Sequence, residues 1–137
     1  FLAVAATDDA ALNRIIAQDA PCLVNVITEP ELGNFSVPAQ RSSGRLTFTA
    51  FGGGLPAFSR LLAQDMAKTY GGNFAAFADF LAEARQKVQL LPLTPAQRTA
   101  FWREMLDEES IGLLHKGHLN ILKERITNAI NSFRAEP

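Results

Sequence analysis

Apolar and polar positions change rhythm along this chain, and each change marks a new kind of element. Leu2 and Val4 stand among alanines in an apolar run that predicts a short strand. The "TDD" at 7–9 supplies side-chain acceptors for free helix N–H groups, and Leu12, Ile15 and Ile16 follow at helical spacing until "DAP" stops them. "CLVNVI" is a second β-branched run, bounded by "TEP". Strand, helix and strand at this spacing predict a parallel crossover. Two parallel strands leave both sheet edges open, so further strands are expected upstream of Phe1, from a first half outside this sequence.

The middle of the chain alternates instead. Leu46, Phe48 and Ala50 interleave with Thr47 and Thr49, the period of a half-buried strand. "NFSVPAQ" before the polar "RSSG" predicts its hairpin partner. From Pro56 the period becomes helical. Proline sits in the first turn after "GGGL", Phe58, Leu61, Leu62 and Met66 form a stripe, and "YGG" ends it. A second helix carries Phe74, Phe77, Leu81 and Val88. "TPAQ" is a capping box, with Thr94 at the cap and Gln97 reaching back, opening a helix with Phe101, Trp102, Met105 and Leu106. The last helix shows Leu119, Leu122, Ile126, Ile130 and Phe133. These stripes read as core.

Composition narrows the function classes. Of 137 residues, 47% are apolar and 20% charged, a globular balance. No apolar run reaches the roughly 20 residues needed to span a bilayer. A net charge of −1, with no aromatic and basic interleaving, gives no nucleic-acid surface. The single cysteine, Cys22, lies in a strand pattern and reads as a small buried hydrophobe. The expectation is a cytoplasmic protein with neither nucleic acid nor membrane as partner.

The order of parts is more specific than any one motif. "AVAATDDAALN", then "LVNVITEPELGNFSVPA", then "RLTFTAFGGGLPAFSRLLAQDM" resembles the precorrin-2 dehydrogenase/sirohydrochlorin ferrochelatase family, the siroheme synthase enzymes. The likeness is strongest over residues 2–66 and extends to "QRTAFWREML". It implies an α/β plus α chain. Residues 1–37 would be the tail of a Rossmann-like NAD-binding domain, 38–55 a β-hairpin dimerisation arm, and 56–137 a helical domain. It implies oxidation of precorrin-2 to sirohydrochlorin with NAD, insertion of Fe²⁺ as substrate, and a homodimer. The Gly-rich dinucleotide loop of such a domain would lie upstream, since "FGGGLP" lacks G-x-G-x-x-G spacing. The fragment is therefore expected to be inactive alone.

The resemblance also locates candidate chemistry. The family's aspartate after the "NV" strand falls on Thr28, a departure, because a hydroxyl is no base near neutral pH. Glu29 is the nearest replacement. A family serine falls on Phe51 or Gly52, a second departure. Gly52, Gly53 and Gly54 before a helix, with Arg60 and with Arg45 or Arg41 of the arm, suit the carboxylates of a tetrapyrrole substrate. Asn25 belongs to the same cleft. Thr7 and Asp8, at a strand end, are cofactor-side candidates, although capping accounts equally for Asp8 and Asp9. His115 and His118 at i, i+3 lack a third ligand, so no metal site is expected. Two other readings stay open: a non-catalytic tetrapyrrole binder, and a piece of an unrelated Rossmann oxidoreductase.

Overall fold

In the computed structural model, which describes residues 1–135, the chain forms two compact units: residues 1–40 with 49–64, and residues 41–48 with 65 onward.

The first unit is built on β1 (Leu2–Ala5), α1 (Ala10–Asp19) and β2 (Leu23–Val26). The strands are parallel, with Leu2 opposite Leu23 and Ala5 opposite Val26. Side chains alternate across the sheet, so Ala3, Ala5, Val24 and Val26 share the face that packs on Ile16, Ala17 and Ala20. Alanines on β1 let the helix approach closely. The opposite face carries Leu2, Val4, Leu23 and Ile27, each half exposed or more.

Beyond β2 the chain makes a 3₁₀ turn at Pro30–Leu32 and doubles back. Gly33 permits this, because a Cβ there would lie 2.8 Å from the Val24 carbonyl oxygen. Asn34 then pairs with the outer side of β2. Its N–H donates to the Val24 carbonyl at 2.9 Å, and its Oδ1 accepts from the Val24 N–H at 2.7 Å. The sequence had predicted a hairpin strand over "NFSVPAQ". Asn34 and Phe35 of that segment bond to β2 instead, Pro38 lacks an N–H for a ladder, and only Ala39 and Gln40 of it enter β3, which runs over Ala39–Ser43. Its partner β4 is Leu46–Ala50. The turn is Gly44–Arg45 rather than "RSSG". Gly44 has φ 55°, a positive first central angle that glycine supplies without strain. The tip of this hairpin belongs to the second unit and its base to the first. Helix α2 (Pro56–Thr69) likewise contributes to both.

The second unit is helical: α3 (Gly72–Gln89), α4 (Pro95–Met105), α5 (Glu108–His115) and α6 (Leu119–Ala135). Phe77, Ala84, Val88, Phe101, Met105, Leu114, Leu122, Ile126 and Ile130 form one buried cluster. The Thr94–Gln97 capping box is present. Helix α5 was not read from the sequence. Leu106 is the C-cap of α4, and Asp107 starts a new helix by accepting the Ser110 N–H at 2.9 Å and the Ser110 hydroxyl at 2.7 Å. Arg125 of α6 closes over this junction, donating through Nη2 to the Met105 carbonyl at 2.6 Å and to Ser110 Oγ at 2.7 Å. The Ser110 hydroxyl and amide, with help from Arg125, hold the Asp107 carboxyl down from 3.8 to about 2.

Two outcomes follow from this core. Leu122 is fully buried, so Leu122→Ala should cost about 2–5 kcal/mol in denaturant unfolding. Because the folded carboxyl of Asp107 lies below its unfolded value, its contribution is complete above 3.8 and lost as pH falls toward 2. Thermal melts over that range should show the loss in the natural chain and a shallower decline in Asp107→Asn.

Candidate functional site

The carboxyl end of β1 is held by a hydrogen-bonded knot. Asn13, on α1, is fully buried. Its Oδ1 accepts the Thr7 N–H at 3.0 Å and lies 2.7 Å from the Thr7 hydroxyl, while its Nδ2 donates to the Thr7 carbonyl at 2.9 Å. Asp9 caps α1, accepting the N–H groups of Ala11 and Leu12 at 2.9 and 3.1 Å. Of the "TDD" acceptors, Thr7 and Asp9 are thus committed to shaping the turn. Asp8 is exposed at its apex and makes no side-chain hydrogen bond among the described residues. It is the one of the three whose carboxylate stays open to a ligand.

At the carboxyl end of β2 the groups are arranged differently. Asn25 lies opposite Val4 in the register and points away from α1. It is 9% exposed, and its amide makes no hydrogen bond among the described residues. Thr28 is exposed in the bend after the strand. Glu29 turns toward α1, where Arg14 Nε donates to both carboxylate oxygens at 3.0 Å. The candidate replacement base is therefore in an ion pair.

The Gly-rich turn is set by Ser59, which is buried on α2. Its Oγ accepts the Gly52 N–H at 2.9 Å and donates to the Leu55 carbonyl at 3.0 Å. Gly52 has no room for a Cβ, which would lie 2.8 Å from the Phe58 ring. Gly53 and Gly54 have φ of 60° and 86° and open space above them. The first-turn amides of Ala57 and Phe58 meet no backbone acceptor in the loop before them. Such a turn is suited to an anion. Arg60 and Phe51 are exposed beside it in sequence.

Arg45 is placed elsewhere. It belongs to the second unit and pairs with Asp79 on α3 at 3.0 Å. Arg41 is an exposed residue of β3. His115 and His118 do not share a helix face. His115 ends α5 with its ring against Tyr70 and Phe74, Gly117 breaks the chain direction at φ 79°, and His118 precedes α6. Among the described residues, no group of three or more His, Cys, Asp or Glu side chains is placed to hold a metal ion. No helix among them is long and apolar enough to cross a membrane.

Asn13, Arg14, Asn34 and Ser59 were not singled out from the sequence. The signal for Asn13 was present, a polar residue at helical spacing from Ile16 on the face that packs against the sheet. The others pair over distances that no local pattern encodes. Asn13→Ala should cost about 1–3 kcal/mol, because it strands the Thr7 backbone groups. Arg14→Gln should cost no more than about 1 kcal/mol, since that pair is largely solvated. Chemical unfolding of both variants checks the contrast.

The chain is similar in sequence and fold to known proteins. Residues 1–39 match the family described as "Putative NAD(P)-binding". A precorrin-2 dehydrogenase of Bacillus subtilis (strain 168) is 37% identical over 90 residues, covering 64% of this chain and 56% of that protein. One from Priestia megaterium is 28% identical over 112 residues, covering 80% of this chain and 55% of its own. A siroheme synthase of Methylobacillus flagellatus is 34% identical over 108 residues, 76% of this chain and 23% of that protein. The chain thus spans about half the length of these dehydrogenases and about a quarter of the synthase. The solved structure of SirC, a precorrin-2 dehydrogenase, superposes with a TM-score of 0.69 at 24% identity, covering 94% of this chain and 62% of that one. The fold is Rossmann-like, with parallel strands and several helices.

Proposed function

The chain belongs to the precorrin-2 dehydrogenase and siroheme synthase family, and from that premise we propose that it is the tetrapyrrole-holding part of an enzyme of siroheme biosynthesis. That enzyme oxidises precorrin-2 to sirohydrochlorin with NAD and takes Fe²⁺ as the substrate of chelation. The carrying observation is Asn25: a largely buried residue at the carboxyl end of a parallel strand, whose amide makes no hydrogen bond among the described residues and is still reached by solvent. Ligands of open parallel sheets sit outside the carboxyl ends of the strands, so an unpartnered amide reached from there is free to hold one. The amides of Gly53 and Gly54 and the cation of Arg60 offer acceptor-seeking groups for a polycarboxylate. In this reading Thr7 and Asp8 meet the nicotinamide end of NAD, on a turn that Asn13 holds in place. The cofactor's phosphates need a Gly-rich turn that these 137 residues lack, so the chain alone reduces no NAD. The hairpin Ala39–Ala50 is the arm by which two copies pair, and a dimer in light scattering is its expected signature.

Glu29 is the proton acceptor of this reading, released from Arg14 when substrate enters. In the parent enzyme, Glu29→Gln should lower kcat on the order of 100-fold with KM nearly unchanged, read from NADH absorbance with precorrin-2. An unchanged kcat removes Glu29 from the chemistry. A second reading, a non-catalytic tetrapyrrole binder, is favoured by Thr28 and by the Arg14–Glu29 pair. It expects sirohydrochlorin to shift its visible spectrum on binding the parent protein, with neither NADH formed from precorrin-2 nor iron inserted.

A further inference from the structure

The helical unit contains a cavity of about 470 Å³ between α3 and α4, within the span of roughly 300–1,000 Å³ of small-molecule sites. Arg85 of α3 and Arg98 of α4 both line it, with Gln89, Thr99 and the indole of Trp102, over an apolar floor that includes Val88. No carboxylate lines it. Two guanidinium groups are thereby brought to one concavity with no counter-charge in its lining, an arrangement that favours an anion joining them. Arg98 sharpens the point in two ways. Its Nε is shut off from solvent and donates to no acceptor among the described residues. It is also the fourth residue of α4, close to the positive end of that helix's dipole, where a cation is disfavoured and an anion welcome.

We propose that this cavity is a second binding site, separate from the Gly-rich turn, for a small organic carboxylate. The carboxylate is held by Arg98 and Arg85, and the apolar body lies along Trp102. The mixture of lining groups selects the class. Guanidinium groups fit a carboxylate in a planar, bidentate manner, and an indole wall rewards a flat or aliphatic body that an inorganic ion lacks.

Trp102 is the only tryptophan in the chain, so its fluorescence reports on this site alone. The probe is 4-phenylbutyrate, titrated into the full chain and followed by both Trp102 emission and calorimetry. Its neutral analogue 4-phenylbutan-1-ol and inorganic phosphate serve as comparisons. Saturable binding of the carboxylate with a change in Trp102 emission is expected, at least ten-fold tighter than either comparison. Arg98→Gln and Arg85→Gln should each weaken it ten-fold or more, while Arg98→Lys retains part of it. Arg85 is exposed, so its variant keeps the test decisive if Arg98→Gln fails to fold. No heat and no emission change up to about 10 mM probe, a range that reaches affinities worth about 3 kcal/mol, overturns the proposal. So does equal binding of the alcohol or of phosphate, or binding that Arg85→Gln leaves unchanged.

Discussion

Two asparagine side chains do for this sheet what neighbouring strands or ordered water would otherwise do. Asn13 meets the N–H and the carbonyl of Thr7, and Asn34 meets the N–H of Val24 with its side chain and the carbonyl with its own backbone. An unpaired backbone group in a buried place costs about 1–3 kcal/mol, so these contacts decide where the chain turns. The consequence is positional. With the end of β1 and the outer side of β2 both closed, the loops that follow start from fixed points. The exposed groups of those loops, Asp8 and Thr28, then project from a fixed base.

How far the sequence foretold this depended on the range of the interactions. Local devices were legible. The Thr94–Gln97 box, the proline in the first turn of α2, the "TDD" cap and the alternation of β4 each depend on residues within four positions of one another. What lay outside that range was missed. Residues 34 and 35 look like strand, yet they turn back on Val24 because Gly33 allows a backbone approach that a Cβ would forbid. Helix α5 escaped because its cap, Asp107 with Ser110, lacks the Glu or Gln of the usual box and its eight residues include Gly112. Its place is secured from far away, by Arg125 of α6. In the candidate site, pattern and family likeness named the strand ends and the glycine turn as candidates, whereas the partners that orient them carried no such signal.

The two units spend their apolar residues differently. The helical unit buries large side chains, among them Leu122, Ile126 and Ile130, in one continuous cluster. The first unit buries alanines and valines and leaves Leu2, Val4, Leu23 and Ile27 half exposed or more on the far face of its sheet. Parallel sheets occur almost only where both faces are covered. The likeness to SirC takes in 62% of that chain, leaving more than a third outside the match. The far face of this sheet is apolar surface that the described residues of the first unit leave open.

The loop after β2 shows why a change of one position in sequence is not a small change in chemistry. A carboxylate at position 28 would issue from the bend itself. At position 29 it turns toward α1 and meets Arg14, next in sequence to the Asn13 that holds the Thr7 turn. The Arg14–Glu29 pair thus ties the loop after β2 to helix α1. Thr28, Asn25 and the glycine amides are neutral groups that form hydrogen bonds but take up no proton near neutral pH. The carboxylates nearest the strand ends are committed in turn: Asp9 caps α1 and Glu29 holds Arg14, which leaves Asp8 without a side-chain partner among the described residues.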